Sequence, residues 1–441
     1  MTKSTENSFA LRGQTLSFTD DPFAVGIDRA VSFNASGAVV IDDGTIIDVG
    51  PADTVLDKYP GIEIVDHGEH LIMSGFVDCH VHYPQSEIIG SYGEQLLEWL
   101  TKYTFPAEGE FSDKSHARSV ARFFLDELLR NGTTTASVYC TVHPQSAEIF
   151  FEEAERRDMR MAAGKVMMDS HAPSNVLDSV QSSYDDSQAL IGRWHGNGRL
   201  HYVISPRFAL TSSPEQLEAA GTLWKKNPGT LMQTHLSENL AEIDRARELY
   251  QTAEDYLGIY EQFGLVGPGA NFGHAIHLKQ REIELFRSSG SGISHCPTSN
   301  MFIGSGLFDM AGLRENETPV SIGMGTDIGG GSSFSMFQTM KSSYEICQLN
   351  GYSLHPIKAF YLATVGSATV MGLEHKIGNL SAGHDADVIV IDLKSKPVIE
   401  RRMRHAADLT EALFTQIILA DDRAINATYV SGKLLYNNGD K

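Results

Sequence analysis

A chain of 441 residues exceeds what one hydrophobic core usually serves, so either a large barrel with an accessory domain or two ordinary domains is expected. Its 35 basic and 56 acidic residues give a formal net charge of −21, which argues against nucleic acid and anionic membrane surfaces as partners. Four cysteines without C-x-x-C spacing, no apolar run of the signal-peptide type and no stretch of about 18 apolar residues predict a cytoplasmic protein that is neither exported nor inserted into a membrane.

Both ends of the chain read as short strands joined by tight turns. In "GAVVIDDGTIIDVG" the pair Asp43-Gly44 lies between two apolar runs, which is a strong hairpin signal. The segments "DADVIVIDL" and "ATYVSGKLLY" repeat the pattern near the other end, with Ser431-Gly432 at a turn. The two β-rich ends therefore predict one small sheet domain built from both termini.

The middle of the chain alternates between strand and helix patterns. The stretch "SHARSVARFFLDELLRNG" carries Val120, Phe123, Phe124 and Leu128 at helical spacing and ends at Gly132, a C-cap signal. Eight strand-like runs occur in this part, namely "GFVDCHVH", "TTTASVY", "MAAGKVMM", "LHYVISP", "TLMQTHL", "ANFGHAI", "GISHC" and "VSIGMGTD". Strands alternating with helices in this number predict an α/β fold, a (β/α)8 TIM-like barrel whose active site gathers at the C-terminal ends of the strands.

Polar residues recur at the ends of these predicted strands. They are His80 and His82 on the first strand, Arg207 on the fourth, His235 on the fifth, His274 on the sixth, His295 on the seventh and Asp327 on the eighth. Alternate residues of a strand face the same side, so His80 and His82 point into one space. Each histidine taken alone is more simply a core residue, but recurrence at one face of a barrel predicts a metal-binding active site.

Three imidazoles and one carboxylate suit a divalent ion of the zinc type, and a catalytic site of this kind keeps one position for water. We take His80, His82, His235 and Asp327 as the ligands. Such an ion lowers the pKa of a bound water towards neutrality, so the nucleophile is the solvent itself. Glu238, three residues after His235, can take the water proton and return it to the substrate, although an isolated glutamate there also suits the first turn of a helix.

Several longer motifs carry a family resemblance: "GFVDCHVHYPQSE", "GSYGEQLLEWLTKYTFPAE", "RNGTTTA", "GKVMMD", "SPRFALTSS", "THLSEN", "SHCPTSN" and "GMGTDIGGG". With these motifs the chain resembles the amidohydrolase superfamily and, within it, the guanine deaminases. The resemblance implies hydrolysis of guanine to xanthine and ammonia, one zinc ion per chain and a homodimer. It also implies a barrel domain over residues 74–372 that carries a small β-sandwich domain made of residues 1–73 and 373–441.

The resemblance assigns chemical roles to individual positions of this sequence. The family's metal ligands correspond to His80, His82, His235 and Asp327. Its proton shuttle corresponds to Glu238, and the histidine beside its metal-bound water corresponds to His274. Glu238, His274 and Asp327 are therefore the implied catalytic residues, whereas His277 receives no role.

The same resemblance implies that Gln85, Arg207 and Phe208 hold the purine. Arg207 is a donor-only fork suited to the guanine carbonyl, Gln85 offers a donor and an acceptor to a ring edge, and Phe208 offers a face for stacking. Without the resemblance, a salt bridge for Arg207 and core packing for Phe208 would be the simpler interpretations. The implied substrate contacts include four residues of the metal site as well: His82, His235, Glu238 and Asp327.

Three alternatives stay open from the sequence. A two-metal hydrolase of cyclic amides would use a carbamylated lysine, for which Lys165 on a predicted strand is the candidate, with His274 as a ligand of the second metal. A deaminase acting on a pterin, a triazine or an oxidised purine would use the same metal chemistry. A non-catalytic assembly protein that has kept the barrel would be marked by loss of a ligand or of the shuttle, and none is lost here.

Overall fold

The computed structural model describes residues 8–93 and 95–440. The first seven residues of the predicted composite domain, Glu94 of the "YGEQLLEW" motif and Lys441 lie outside the described residues. The strands are β1 (Ser8–Phe18), β2 (Val31–Asp42), β3 (Thr45–Pro51), β4 (Glu63–Ser74), β5 (Phe76–His82), β6 (Thr133–Tyr139), β7 (Arg160–Gly164), β8 (Val166–Met167), β9 (His201–Pro206), β10 (Leu231–Leu236), β11 (Ala270–His274), β12 (Gly292–His295), β13 (Ser321–Met324), β14 (Val388–Ile391), β15 (Ile425–Val430) and β16 (Lys433–Asn437).

The α-helices are distributed along the described chain. They are α1 (Ile27–Ala30), α2 (Ala52–Leu56), α3 (Leu96–Trp99), α4 (Phe105–Gly109), α5 (Lys114–Arg130), α6 (Pro144–Arg156), α7 (Val180–Trp194), α8 (Pro214–Lys226), α9 (Leu240–Leu249), α10 (Tyr256–Gln262), α11 (Gln280–Ser289), α12 (Pro297–Phe302), α13 (Met310–Arg314), α14 (Met336–Leu349), α15 (Pro356–Tyr361), α16 (Ser367–Val370), α17 (Pro397–Met403) and α18 (Leu409–Leu419). Short 3₁₀ segments lie at Tyr83–Ile88, Glu110–Ser112, Ser174–Val176, Ala209–Thr211, Asp422–Ala424 and Asn438–Asp440, and π segments at Leu100–Thr104 and Leu362–Gly366.

Strands from both ends of the chain form one seven-stranded sheet, in the order β16-β15-β14-β4-β1-β2-β3. Strand β14, which follows the barrel in sequence, pairs antiparallel with β4, which precedes it. The sheet curls on itself, because the Ala386 amide donates a hydrogen bond to the Gly44 carbonyl at 2.8 Å. It encloses an apolar cluster that includes Leu11, Ile41, Ile46, Ile72, Val388 and Tyr429. The prediction of a small β-sandwich from both termini is thus confirmed as one curled sheet.

Both predicted hairpin turns are present in this sheet. Asp43 and Gly44, between β2 and β3, have φ angles of 47° and 75°. Ser431 and Gly432, between β15 and β16, have φ angles of 50° and 76°. Two consecutive left-handed residues are the mark of the type I′ turn, whose twist matches that of the flanking strands.

The middle of the chain forms a barrel of eight parallel strands in the order β5-β6-β7-β9-β10-β11-β12-β13, with the short β8 pairing beside β9. Its two edges approach where the last strand ends: the Asp327 amide donates to the His80 carbonyl at 3.0 Å, and the His82 amide donates to the Ile328 carbonyl at 3.1 Å. Strands β5 and β6 are buried along their whole length, as expected for parallel strands covered by helices. The predicted α/β barrel is confirmed, and its division from the sheet at residues 74 and 372 stays a prediction.

Two local predictions need correction. The run "MAAGKVMM" is not one strand, because it breaks at Lys165 into β7 and β8. In α5, which begins after the N-cap Asp113, Val120 and Phe124 are buried as predicted, but Phe123 is 49% exposed. The helix turns by about 100° per residue, so in α5 the side chain of Phe123 lies on a different face from that of the buried Phe124.

Ion pairs join the sheet to the N-terminal ends of the barrel strands. Arg160, the first residue of β7, donates through Nε to Asp385 at 2.7 Å. Arg199, just before β9, pairs with Asp385 at 3.1 Å and with Asp387. The Asp387 carbonyl also accepts a hydrogen bond from the amide of Gly75, the residue between β4 and β5. The sheet therefore covers the end of the barrel opposite the predicted site.

Within residues 8–93 and 95–440, no helix is both long enough and apolar enough to cross a membrane.

Candidate metal centre and active site

The predicted metal-binding residues meet at the C-terminal end of the barrel. His80 and His82 end β5, His235 lies at the end of β10, His274 ends β11, and Asp327 follows β13. Each of these five residues is at most 6% exposed apart from His235, which is partly buried. Parallel strands of a barrel end at one face, and for this reason residues far apart in the sequence come together here.

The distances within this cluster are short. His80 Nε2 and His82 Nε2 each lie 3.4 Å from Asp327 Oδ1, and His82 Nε2 lies 3.1 Å from His235 Nε2. His274 Nε2 lies 3.8 Å from the other oxygen of Asp327, Oδ2. The donor atoms of His80, His235, His274 and Asp327 all lie within 4.8 Å of one another. Five potential ligands thus surround one point.

Hydrogen bonds orient two of the imidazole rings. His235 Nδ1 lies 2.7 Å from the Arg207 carbonyl oxygen, and His274 Nδ1 lies 2.8 Å from Asn300 Oδ1. Because both partners are acceptors, each Nδ1 carries a proton, and the neutral His235 ring therefore directs the free lone pair of its Nε2 to the cluster. Partners of this kind fix the tautomer that a metal ligand needs.

The backbone of the cluster is held in unusual conformations. Ser237, His274, Ala275 and Asp327 are non-glycine residues with positive φ angles of 49°, 67°, 49° and 51°. Such conformations cost free energy and persist only where the surroundings enforce them. Here the Ala275 amide donates to the Leu236 carbonyl at 2.8 Å, which ties the ends of β10 and β11 together.

Burial and neighbouring charges keep the imidazoles neutral. Burial, together with the nearby histidines, holds the pKa values of His82 and His235 well below the ordinary histidine value, and burial also lowers the pKa of His80. Burial alone would raise the pKa of Asp327, but the interactions with His80 and with the other histidines lower it to about 2. Neutral imidazoles and an ionised carboxylate are the protonation states that bind a cation.

Glu238 and His274 form a second electrostatic pair beside the cluster. Glu238 Oε2 lies 3.5 Å from His274 Nε2. Burial, with a smaller contribution from the negative charge of Asp327, raises the pKa of Glu238 to about 7. Burial would lower the pKa of His274, but the charges of Glu238 and Asp327 outweigh it and raise that pKa. A carboxyl group with such a pKa can both accept and release a proton near neutral pH.

The donor set fits a divalent ion. Two ligands bound at about 2.0–2.1 Å to a tetrahedral ion lie roughly 3.4 Å apart, close to the 3.1 and 3.4 Å found between the His82, His235 and Asp327 atoms. Among the described residues, neither ring nitrogen of the fully buried His80 has a hydrogen-bond partner, and unpaired buried polar atoms are costly unless a ligand binds them. The site therefore has the three imidazoles and the carboxylate of a divalent metal site.

A cleft opens beside the cluster, with an empty volume of about 410 Å³ including its mouth. Every residue predicted from the sequence to act in catalysis or to contact the purine lines it: His82, Gln85, Arg207, Phe208, His235, Glu238, His274 and Asp327. His80 lies behind them, fully buried. Trp99 and Leu100, from the segment after Glu94, also line the cleft.

Glu108, which binds two residues of the cleft from behind, was missed by the sequence interpretation. Its carboxylate is 1% exposed and accepts hydrogen bonds from Arg207 Nη1 at 2.7 Å and from Gln85 Nε2 at 3.1 Å. Arg207 is thus both the salt-bridged residue of the simpler interpretation and a cleft residue. The only signal in the sequence was that Glu108 lies within the motif "YTFPAE".

Tyr139 and Asn300 were missed as well. The Tyr139 ring stacks on His82, with centroids 4.5 Å apart and an interplanar angle of 16°, and it also packs against His80. Asn300, which accepts from His274, lies in the quoted motif "SHCPTSN". Tyr139 ends the second barrel strand, and its position at a strand end was the available signal.

Two candidates from the sequence lie apart from the cleft. Lys165 is fully buried, but its Nζ pairs with Asp178 and donates to the Val166 carbonyl at 3.2 Å, so it is not directed to the metal cluster. His295 is also fully buried and stacks on Phe308 with centroids 4.4 Å apart. It does not line the cleft, so its place at a strand end does not make it part of the site.

Comparison with known proteins identifies the family. The model of the amidohydrolase family matches residues 71–435, and that of an imidazolonepropionase-like composite domain from bacteria matches residues 37–61 in the sheet. The guanine deaminase of Escherichia coli (strain K12) is 45% identical over 431 residues, which cover 97% of each chain.

Solved structures agree with the sequence comparison. The structure of the E. coli guanine deaminase superposes with a TM-score of 0.95, covering 97% of this chain and 99% of that one. The guanine deaminase of C. acetobutylicum, solved with guanine bound in its active site, is 29% identical, with a TM-score of 0.88 and coverage of 98% of this chain and 100% of the other. The chain belongs to the amidohydrolase family and, within it, to the guanine deaminase family.

Proposed function

We propose that this protein hydrolyses guanine to xanthine and ammonia, with one zinc ion held by three histidines and one aspartate. One observation carries the proposal: in a chain 45% identical to a guanine deaminase along 97% of its length, Gln85, Arg207 and Phe208 line the same cleft as the His–Asp–Glu cluster. The substrate would lie between the purine-binding wall and the metal ligands.

For the metal we propose His80, His82, His235 and Asp327 as ligands, with His274 beside the reacting water. The two oxygens of Asp327 support this division, since Oδ1 lies 3.4 Å from both His80 and His82 whereas Oδ2 is the oxygen nearest His274, at 3.8 Å. A bound divalent ion would make a water molecule acidic enough to attack at neutral pH.

Glu238 would carry the proton between water and substrate. Water adds to C2 of guanine, the electrons of the C=N bond move to the adjacent ring nitrogen, and Glu238 passes the proton of the water to that nitrogen. Glu238 then takes the remaining proton of the hydroxyl group at C2 and delivers it to the exocyclic amino group. The C=O bond of xanthine forms as the bond between C2 and that amino nitrogen breaks, and ammonia leaves. The pKa of about 7 that burial gives to Glu238 suits both halves of this transfer. His274, as a cation beside Glu238, would stabilise negative charge on the oxygen that attacks C2.

The purine would be recognised by the wall formed by Gln85, Arg207 and Phe208. Only one of the two terminal nitrogens of Arg207, Nη1, is bound by Glu108, so the guanidinium keeps donors for the guanine carbonyl. The ion pair with Glu108 fixes the direction of that fork, and the buried Phe208 ring offers a stacking face.

The quaternary structure and location rest on the family resemblance. We propose a homodimer in the cytoplasm. All four cysteines, Cys79, Cys140, Cys296 and Cys347, are buried free thiols, and this state fits a reducing compartment.

The test is ammonia release from guanine by the purified, zinc-loaded protein, with adenine, cytosine and a pterin assayed in parallel. Selective turnover of guanine with one zinc per chain is expected. Turnover of another amino-heterocycle instead would refute guanine as the substrate but not the metal-dependent hydrolysis. The roles assigned to Gln85, Arg207 and Phe208 would then be wrong. Two metal ions per chain, with no turnover of any of the four compounds, would favour the cyclic-amide hydrolase. That enzyme would need Lys165 as the carbamylated lysine, although Lys165 is paired with Asp178.

A further inference from the structure

Ser305 is a buried serine whose hydroxyl contacts the glutamate at the centre of the proposed proton transfer. It is 5% exposed, and its Oγ donates a hydrogen bond to Glu238 Oε1 at 3.0 Å. The residue lies in the loop "IGSG" that follows α12, 67 positions from Glu238. Neither the metal ligands nor the purine-binding wall accounts for this contact.

The backbone of Ser305 is fixed on both sides. Its amide donates to the Asn300 carbonyl at 2.8 Å, and its carbonyl accepts a hydrogen bond from His277 Nε2 at 2.8 Å. Gly306, with φ at 146°, lets the His277 ring lie against the loop, because a Cβ there would come within 3.1 Å of His277 Nε2. A hydroxyl on a backbone held in this way has little freedom to move away from Glu238.

Glu238 itself is fixed at its other end. Its amide donates to Glu242 Oε2 at 2.8 Å, and Glu242 is in turn held by the Tyr256 hydroxyl at 2.7 Å. With Oε1 bound to Ser305, the free oxygen is Oε2, which lies on the side of His274 and the metal cluster. The hydrogen bond from Ser305 thus fixes the orientation of the Glu238 carboxylate, with one oxygen directed to the reacting atoms.

We propose that Ser305 is a positioning residue for the proton shuttle Glu238, and that His277 acts by fixing Ser305. The inference rests on the proposed function, because it assumes that Glu238 transfers the proton. A contact that sets the rotamer of a proton-transfer group improves the geometry of the transition state and does little for the binding of the purine. It therefore affects kcat more than KM.

The experiment compares zinc-loaded wild type with Ser305→Ala, Ser305→Thr and His277→Ala, using guanine as the substrate. Misplacement of a catalytic group lowers rates by roughly 10- to 100-fold, so Ser305→Ala should lose about that factor in kcat while KM and inhibition by xanthine change by less than about twofold. Ser305→Thr keeps the hydroxyl and should recover most of the rate. His277→Ala should show a smaller loss of the same kind.

Ser183→Ala is the matched control, because Ser183 is fully buried and its hydroxyl also donates to a carboxylate, that of Asp178, at 2.9 Å outside the cleft. Zinc content and melting temperature are measured for every variant. A wild-type kcat in Ser305→Ala, a Thr variant no better than the Ala variant, or a loss of zinc that parallels the loss of rate would each overturn the inference. If Ser305→Ala does not fold, an unchanged kcat in His277→Ala overturns it. Failure of the wild type itself on guanine would refute the proposed function instead.

Discussion

The site-facing and sheet-facing ends of the barrel differ in how their buried polar groups are paired. At the C-terminal end of the strands the imidazoles of His82 and His235 lie 3.1 Å apart at their Nε2 atoms. Among the described residues, neither ring nitrogen of His80 has a hydrogen-bond partner. At the other end, Arg160 and Arg199 meet the carboxylates of Asp385 and Asp387, so opposite charges are paired. The comparison indicates that the ion pairs at the sheet-facing end hold the sheet against the barrel. At the site-facing end, beside the ion pair of Arg207 with Glu108, the cluster around His80 keeps ligand atoms available for a metal and a substrate.

The largest expected effect is at the site-facing end, where a change of Asp327 to asparagine removes a carboxylate that lies 3.4 Å from both His80 and His82. Metal catalysis supplies several kcal/mol of transition-state stabilisation, so turnover should fall by roughly 10⁴-fold. The zinc content, measured by elemental analysis, should fall with it. Asp244→Asn is the control, since Asp244 is exposed and its ion pair is with the equally exposed Arg247. Full zinc content and full turnover in Asp327→Asn would contradict the ligand assignment.

A smaller loss is expected for Glu238→Gln, which removes the titrating group but no metal ligand. General acid–base catalysis contributes about 10²–10⁴-fold, and the rate on guanine should fall by that order while one zinc per chain is retained. Glu248→Gln provides the comparison, because Glu248 is exposed and lies in α9, the helix that follows Glu238. A near-normal rate in the Glu238 variant would remove this residue from the mechanism.

At the sheet-facing end, Arg199→Met should lower the free energy of unfolding and leave turnover unaltered. It leaves Asp387, whose side chain is 3% exposed, without its main counter-ion, and breaking a buried pair costs about 3–5 kcal/mol. Arg404→Met, which breaks an exposed pair with Glu400, should cost less than about 0.5 kcal/mol. Denaturant unfolding measures both, and equal effects of the two variants would refute the contrast.

The same variant has a predicted pH dependence. Burial already raises the pKa of Asp387 with Arg199 beside it, and removal of that positive charge raises it further. A folded-state pKa above the unfolded value means that the folded protein binds the proton more tightly, so stability is greatest at low pH and decreases as pH rises through the folded pKa. The deficit of Arg199→Met relative to wild type should therefore grow from acidic to neutral pH. A stability deficit that does not change with pH would show that the loss of stability does not come from the ionisation of Asp387.

The smallest effect is expected in the sheet, at the hairpin turn of Gly44. Its φ of 75° strains any other residue, and a Cβ there would lie 2.5 Å from Ser431 Oγ in the neighbouring hairpin. Gly44→Ala should lower the free energy of unfolding by about 1–2 kcal/mol without altering kcat. Gly61→Ala, with φ at 82° and an open surrounding, isolates the backbone contribution and should cost less. Equal costs would show that the contact between the hairpins is unimportant.

Much of the site followed from local patterns in the sequence. The H-x-H pair on β5 and the Glu238 that follows His235 by three positions depend on spacing within one strand or one junction, and such spacing fixes relative direction without any tertiary contact. The turns at Asp43-Gly44 and Ser431-Gly432 are equally local. The eight strand-like runs, being short and apolar, indicated the barrel and hence the face on which strand ends meet.

Other parts were decided only when distant segments packed together. The bonds of Arg207 to Glu108 and of Ser305 to Glu238 join residues 99 and 67 positions apart, and no periodicity relates such pairs. His295 and Lys165 met the same sequence criteria as the site residues, yet one stacks on Phe308 and the other pairs with Asp178. Sequence by itself determined which residue types end the strands, because strand geometry repeats every two residues. Only the tertiary structure decided which of them share the cleft and which partners hold them, because hydrogen bonds and ion pairs act over a few ångströms and depend on where the chain returns.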